Sequence, residues 1–220
     1  MGTDNLFRKR KARKAEMHRR KIARRSPYDR VLIACEGGKT EPNYLRWLIN
    51  NFELNRQNVV IADKKSGLDP KGLVDYALEE FKKDRDFDHI YCVFDRDKHT
   101  TYNAALDRIN SIHLRGGAKI HPIISIPCFE FWLLLHFTYT THQYEAPLNE
   151  SNCDKVVSDL RKYIPEYEKG SRDFLKCLNS KTDEAITRAK QIETYHETSG
   201  TDNPFTKMYI LVEYLKSLKR

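Results

Sequence analysis

Short apolar segments alternate with amphipathic segments between residues 30 and 126, and this alternation constrains the fold more than any other feature. The apolar segments are rich in β-branched residues, as buried strands are, and lie at 30–35, 58–62, 88–94 and 118–126. Segments with helical spacing separate them, at 40–52, 70–81 and 101–115. Such alternation is typical of parallel β-α-β units. The sequence therefore predicts a three-layer α/β/α fold with a mostly parallel four-stranded sheet, in which Pro122 marks an edge or a strand end.

The rest of the chain divides into an amino-terminal arm and a carboxy-terminal helical region. Residues 1–27 are predicted to be a basic arm, residues 28–137 an α/β domain, and residues 138–220 a helical region packed on that domain. Helical patterns after residue 127 lie at 129–137, 151–163, 172–178, 182–195 and 206–218. Asn203 is the predicted N-cap of the last helix, with Pro204 in its first turn. We expect this helix to be a lid or brace, or a contact in a homodimer.

The positive charge is concentrated in the arm. Residues 1–25 contain eleven lysines and arginines, including Arg19, Arg20 and Arg24, against only two acidic residues. The whole chain has a net charge of +8, so the remainder of the protein is close to neutral. A dense cationic segment gains affinity for a polyanion through counterion release. We therefore expect the arm to bind nucleic acid; the alternative is a solvated tail that contacts a protein partner.

The cysteines and the hydropathy pattern predict a soluble, reduced, cytoplasmic protein without a membrane partner. The five cysteines are scattered along the chain and include no C-x-x-C pair, which argues against a disulfide framework and against structural zinc. No segment approaches the roughly 18 uncharged apolar residues that a membrane span needs. The basic amino terminus also lacks the apolar core of a signal peptide.

Acidic residues follow the first and third predicted strands. Glu36 ends the first, and Asp95 and Asp97 follow the third. Because ligands of parallel sheets bind beyond the carboxyl ends of the strands, these side chains are expected to converge there and to hold Mg²⁺, or Mn²⁺ in its place. The alternative is a pair of exposed loop aspartates. Nearby, His99 is a candidate general acid or base, and Arg96 is either a phosphate contact or a surface charge.

The segment after Glu36 is suited to phosphate. Gly37 and Gly38 allow backbone N–H groups to approach an anion at the start of a helix. The segment lacks the Walker A pattern, so it does not predict binding of a nucleoside triphosphate. Lys39 either neutralises a phosphate or pairs with Glu41.

Four motifs together resemble one protein family, and they appear in that family's order. They are CEGGKTEPNY at 35–44, VFDRDKH at 93–99, PCFEFWLLLHF at 127–137 and NPFT at 203–206. This set resembles the RloB-like family, whose members belong to the Toprim superfamily of metal-dependent nucleic-acid enzymes. The resemblance extends over nearly the whole chain after the arm.

The resemblance implies a set of site residues. The Toprim pattern, a Glu after the first strand and a D-x-D after the third, implies the metal ligands Glu36, Asp95 and Asp97. The block at 127–137 implies roles for Glu130 and His136. A Tyr-x-Lys element common in the family is matched by Tyr167 and Lys169, and Lys169 becomes a candidate phosphate contact.

The resemblance also implies a function. RloB-like proteins are similar to Toprim nucleases of bacterial anti-phage defence, some of which act beside an ATPase sensor and cleave RNA, including tRNA. We therefore expect a latent or active nuclease that prefers RNA to DNA, with an ATPase as a possible partner. In this chemistry Asp95 and Asp97 hold Mg²⁺ at the scissile phosphate, and Glu36 binds a second ion or accepts the proton of the attacking water. Glu130 is the remaining catalytic candidate.

Two other readings are open. The chain is alternatively a non-catalytic subunit that binds nucleic acid or a partner within a defence complex. A phosphatase of the haloacid-dehalogenase type is less favoured, because its D-x-D motif follows the first strand, whereas Asp95 and Asp97 follow the third.

Overall fold

The computed structural model of the protein describes residues 28–62, 67–96, 100–147 and 151–218. The strands in these residues are β1 Val31–Cys35, β2 Val59–Ile61, β3 His89–Asp95, β4 Lys119–Ile126 and β5 Phe205–Thr206. The α-helices are α1 Thr40–Asn51, α2 Pro70–Lys83, α3 Tyr102–Ser111, α4 Glu130–Leu134, α5 Asn152–Arg161, α6 Thr182–Ser199 and α7 Met208–Ser217. Two 3₁₀ helices cover Arg115–Gly117 and Asp173–Leu178.

The strands form one sheet in the order β2-β1-β3-β4-β5. β1 to β4 run parallel, whereas β5 pairs with β4 in the antiparallel sense. The prediction of an α/β fold with a mostly parallel sheet is therefore confirmed, but the sheet has a fifth strand. Pro122 lies opposite Cys92 of β3, in the part of β4 that β5 does not reach. This is the edge position expected for it.

The fifth strand replaces the predicted start of the last helix. Phe205 and Thr206 pair with the end of β4, and the Thr206 hydroxyl lies 3.0 Å from that of Ser125. Asn203 does not cap a helix; its side-chain amide donates to the Tyr144 carbonyl at 3.0 Å. The predicted last helix is confirmed as α7, but its start at residue 206 and its Asn203 cap were wrong, because a free sheet edge offers Phe205 and Thr206 backbone partners that local sequence does not reveal.

Alternate residues of the strands pack into two cores, one on each face of the sheet. Val31 and Ile33 of β1 point toward α1 and the helices of the carboxy-terminal region. Leu32 and Ala34, the residues beside them, point toward α2 and α3. This period of two places helices on both faces, which is the three-layer arrangement that the alternation of segments predicts.

The helical segments after residue 127 exist but differ in length from the prediction. The segment at 129–137 forms only the short helix α4, after which Leu135 to Phe137 continue in turns. Helix α6 runs four residues beyond the predicted end, and it stops where Gly200 adopts a left-handed conformation with φ of 68°. Glycine takes this conformation without a Cβ penalty and commonly ends helices.

Two of the five cysteines are bonded to each other. Cys128, at the turn before α4, forms a disulfide with Cys153 in the first turn of α5, and their Cα atoms are 5.7 Å apart. The expectation of an all-reduced chain was therefore wrong for this pair. The two cysteines are 25 positions apart, and the segment between them folds back so that α5 packs on α4. This long-range contact has no local sequence signal. Cys35 and Cys92 are free and buried, and Cys177 is free and exposed.

None of the helices in the described residues is long and apolar enough to cross a bilayer.

Candidate functional site

Two of the predicted acidic residues meet at the carboxyl edge of the sheet. β1 and β3 are parallel neighbours in register, with Cys35 opposite Val93. The chain continues this pairing for one residue, since the Glu36 N–H donates to the Val93 carbonyl at 2.8 Å. The Glu36 side chain then accepts the backbone N–H of Asp95 on Oε2 at 3.1 Å. The structure thus brings Glu36 and Asp95 together although they are 59 positions apart along the chain.

A third carboxylate, Glu41, comes from the first turn of α1. Its Oε1 accepts the backbone N–H of Gly37 at 3.1 Å, and the residue is only 7% exposed. Gly37 leaves room for this side chain to fold back over the end of the strand, because a Cβ at Gly37 would lie 2.0 Å from Glu41 Oε2. In the sequence Glu41 stands out only as part of a helix start, so its place in the site was missed. Its spacing of five residues from Glu36 across a Gly-Gly turn is the signal that was present.

A fourth carboxylate, Glu130, is the first residue of α4 and is buried, with 4% exposure. Its Oε1 accepts the hydroxyl of Tyr167 at 3.0 Å and lies 3.7 Å from the ammonium of Lys169. Its Oε2 lies 3.2 Å from Cys153 Sγ. The Tyr-x-Lys element therefore fixes the orientation of this carboxylate from the segment between α5 and the second 3₁₀ helix.

The pKa values of Asp95 and Glu41 are raised, mainly by burial and also by the neighbouring carboxylates. The pKa of Asp95 lies well above its ordinary value, mainly because its carboxyl group is desolvated and also because Glu41, Glu130 and Glu36 are near; a hydrogen bond from the Phe129 N–H opposes the shift. Burial raises the pKa of Glu41 to about 6, with Glu130 and Glu36 adding to the effect. Mutual repulsion of this kind is unfavourable, and a bound cation would remove it.

The donor set fits a hard divalent cation. Carboxylate oxygens are the ligands of Mg²⁺ and Mn²⁺, and Mg²⁺ typically takes one or two carboxylates and keeps waters for the rest of its shell. Glu36 and Asp95 supply such a pair at the strand ends. Burial is the main cause of the raised pKa values of Asp95 and Glu41, and the neighbouring carboxylates add a smaller repulsion that a bound cation would oppose.

These side chains line an open cleft of about 600 Å³. The charged residues of its wall are Glu36, Glu41, Asp69, Asp95, Glu130, Lys39 and Lys169. The cleft joins the strand ends to the amino-terminal end of α1, and the backbone N–H of Gly170 closes one side by donating to the Thr40 hydroxyl at 2.9 Å.

The predicted phosphate contacts differ in their surroundings. Lys39 is exposed at the cleft and packs its aliphatic chain near Gly170. Lys169 lies in the cleft wall beside Glu130. Arg96 donates from both terminal nitrogens to the carboxylate of Asp202, so its charge is already balanced within the protein.

The remaining predicted residues do not enlarge the described site. Asp97 and His99 lie outside the described residues, as do Arg19, Arg20 and Arg24 of the arm. His136 is fully buried and donates from Nδ1 to the Trp132 carbonyl at 3.0 Å. Burial lowers the pKa of His136 to about 4, so it is a neutral core residue at physiological pH.

Replacing Gly37 with alanine is expected to displace the Glu41 carboxylate, because an added Cβ would lie 2.0 Å from Glu41 Oε2. The carboxylate can move more easily than the backbone, so the protein should fold and unfold at nearly the wild-type temperature. We expect the affinity for Mn²⁺ to fall about tenfold, the lower end of the loss seen when the surroundings of a metal ligand are disturbed. A Mn²⁺ titration followed by electron paramagnetic resonance measures this; an unchanged affinity would remove Glu41 from the site.

The comparisons with known proteins identify a family. A family model described as "RloB-like protein" matches residues 31–215 of the chain. This range begins at β1, contains the whole sheet and ends within α7. No curated protein and no solved structure matches the chain.

Proposed function

The chain belongs to the RloB-like protein family, and we propose that it is a metal-dependent endonuclease that hydrolyses phosphodiester bonds in nucleic acid. Its expected substrate is RNA, including tRNA, and its expected biological role is anti-phage defence. The observation that carries it is the contact between Glu36 and Asp95 at adjacent parallel strand ends. The raised pKa values of Asp95 and Glu41 support a role for a cation there.

The order of these acidic residues along the chain supports a Toprim-like site. A glutamate follows β1 and an aspartate ends β3, and these strands are neighbours in the sheet. In a Toprim-like site these two residues would be metal ligands. Asp97, the second aspartate of the pattern, completes the proposed ligand set.

Different residues of the chain would have different roles in the proposed hydrolysis. Glu36 and Asp95 would hold Mg²⁺ or Mn²⁺, and a divalent ion bound there supplies Lewis-acid polarisation of the scissile phosphate. Lys39 and the amino-terminal end of α1 favour the negative charge of the phosphate group. Glu41 Oε1 is occupied by the Gly37 N–H, which leaves Oε2 to accept a proton from water. A carboxylate whose pKa is near 6 is well matched to this role at neutral pH.

Cleavage assays with a charge-neutral variant test the proposal. Full-length protein, alone and with a cognate ATPase and its trigger, is incubated with tRNA or plasmid DNA in Mg²⁺, Mn²⁺ or EDTA. We expect wild-type protein to cut in the presence of metal, and Glu36→Gln to lose at least about a hundredfold in rate, the scale for removing one preorganised charged group. Glu79→Gln is the control, because Glu79 is exposed on α2.

Absence of cleavage under every condition, together with retained nucleic-acid binding, would replace the nuclease by the non-catalytic binding subunit. Equal rates for wild type and Glu36→Gln would show that any cleavage comes from another site.

The arm supports nucleic-acid binding and leads to a separate prediction. Deleting residues 1–25 removes eleven positive charges, so fewer counterions are released on binding and the salt dependence of the affinity should become shallower. Metal-dependent turnover of a short oligonucleotide should survive, because Glu36, Asp95 and the cleft lie in the remaining residues. Binding measured against salt concentration tests this, and identical slopes for the two proteins would contradict it.

A further inference from the structure

A cluster of different chemistry adjoins the carboxylates. Among the described residues, Cys128, Glu130 and Cys153 each place one donor atom within 4.8 Å of the other two. All three are buried, with exposures of 3%, 4% and 4%. The two sulfurs are joined as a disulfide, and Glu130 Oε2 faces Cys153 Sγ at 3.2 Å.

We propose that, when the disulfide is reduced, Cys128, Cys153 and Glu130 form a binding site for a thiophilic divalent cation such as Zn²⁺, and that the disulfide closes this site. The site is distinct in chemistry from the carboxylate pair of Glu36 and Asp95, and it does not require that the protein hydrolyse nucleic acid.

The donor atoms suit a thiophilic cation. Thiolates are soft ligands that select Zn²⁺ or Cd²⁺ over Mg²⁺. Bond lengths of about 2.3 Å to sulfur and about 2.0 Å to oxygen put the donors of a tetrahedral zinc site roughly 3.5–3.8 Å apart. The three donors already lie within reach of one ion, and three protein ligands leave a fourth position open. Tyr167 occupies Oε1 of Glu130, so Oε2 remains for the cation.

The charges of the Cys128, Glu130 and Cys153 cluster are balanced both when the disulfide is formed and when the reduced cluster holds a cation. Lys169 Nζ lies 3.2 Å from Cys153 Sγ and 3.7 Å from Glu130 Oε1. With the disulfide formed, the lysine ammonium offsets the single negative charge of Glu130. With the sulfurs as thiolates, the two sulfurs and the carboxylate carry three negative charges, which Zn²⁺ and Lys169 together offset. A buried cluster is stable only when its charges are paired, so reduction should be accompanied by cation uptake.

The exchange between the states is a two-electron reaction. Oxidation joins Cys128 Sγ to Cys153 Sγ, releases the cation, and passes two electrons to a small-molecule disulfide such as oxidised glutathione, which leaves as two thiolates. Reduction by a thiol reverses each step. Because Glu130 belongs to the cleft as well as to this cluster, the same exchange alters the surroundings of the carboxylate site.

Cadmium absorption tests the proposal on the full-length chain. Cd²⁺ is added to protein that has been fully reduced, and to protein oxidised with glutathione disulfide, and the ultraviolet charge-transfer band of thiolate-bound cadmium is recorded. We expect one equivalent of Cd²⁺ to produce the band in reduced protein, Zn²⁺ to displace it, and oxidised protein to lack it. Cys128→Ser should lose the band, whereas Cys177→Ser, at an exposed free cysteine, should keep it.

A reduced wild-type protein without the band, or a band that survives in the oxidised protein or in Cys128→Ser, would overturn the proposal. The comparison of the two redox states of wild type needs no substitution, so a folding defect in Cys128→Ser does not weaken the test. Mn²⁺ binding to the oxidised protein is measured in parallel, because it reports on the carboxylate pair alone and so distinguishes failure of this proposal from failure of the nuclease proposal.

Discussion

Replacing Asp95 with asparagine is expected to abolish metal-dependent cleavage and, at the same time, to stabilise the metal-free protein. The substitution removes the ionisable carboxyl group of Asp95. Its pKa is raised mainly by desolvation and also by the carboxylates of Glu41, Glu130 and Glu36. Under the proposed mechanism the cation loses a ligand, so the cleavage rate should fall by at least about a hundred- to a thousandfold. The fold loses a source of repulsion, so the thermal unfolding temperature in EDTA should rise.

The expected loss of cleavage and the expected gain in thermal stability have opposite signs. This distinguishes a carboxylate that binds a cation from one that stabilises the fold, because removing the latter would lower the stability. The asparagine oxygen can still accept the Phe129 N–H that Asp95 accepts, so the local hydrogen bond survives. Asp107→Asn, at an exposed position of α3, is the matched control and should change neither quantity. A destabilised Asp95→Asn, or one with wild-type cleavage, would show that the carboxylate serves the fold instead of a cation.

The second large effect is the contribution of Glu41 to the pH dependence of stability, which Glu41→Gln should remove. The folded protein raises the pKa of Glu41 from 4.5 to about 6, so the folded state binds the proton more tightly than the unfolded state. The contribution of Glu41 to the free energy of unfolding of the wild-type protein is fully present below pH 4.5 and is lost as the pH rises through about 6. A shift of this size corresponds to about 2 kcal/mol. Glutamine stays neutral and can still accept the Gly37 N–H, so it keeps that stability at every pH.

The comparison with the variant is needed because two histidines act in the opposite direction. The pKa values of His136 and His121 are lowered by burial to about 4, so their contribution is lost as the pH falls below about 6.5. These terms cancel when wild type and Glu41→Gln are compared at the same pH. In EDTA the variant should be about 2 kcal/mol more stable at pH 7.5 and equal to wild type near pH 4.5.

Urea unfolding at the two pH values measures this difference. Glu79→Gln on the exposed face of α2 should match wild type at both. If the gain of Glu41→Gln is the same at pH 4.5 and pH 7.5, the Glu41 carboxyl is not the group that titrates.

The sequence predicts those features that local pattern determines. The alternation of side chains in β1 and the helical spacing of apolar residues after it depend only on residues that are close together in the sequence. The parallel sheet and its three layers could therefore be predicted. The rule that ligands bind beyond parallel strand ends then directs attention to Glu36 and Asp95, and the structure places them in contact. The family was also identifiable from its motifs, and the matching range confirms it.

Features that depend on distant contacts could not be predicted in this way. The strand at Phe205 and Thr206 exists because β4 leaves an edge unpaired. The disulfide exists because the chain returns to Cys128 after 25 residues. Glu41 joins the carboxylates at the strand ends because the turn after β1 folds the start of α1 over the end of the strand. In each case the partner is supplied by the tertiary fold, and local propensity is overridden by it.

The most direct test of the cation site is a crystal structure of the full-length protein soaked with Mn²⁺, with the metal located by its anomalous scattering. We predict a peak about 2 Å from carboxylate oxygens of both Glu36 and Asp95. Manganese bound elsewhere, with Glu36 and Asp95 contacting only the protein at saturating metal, would contradict the proposed site and the nuclease function built on it.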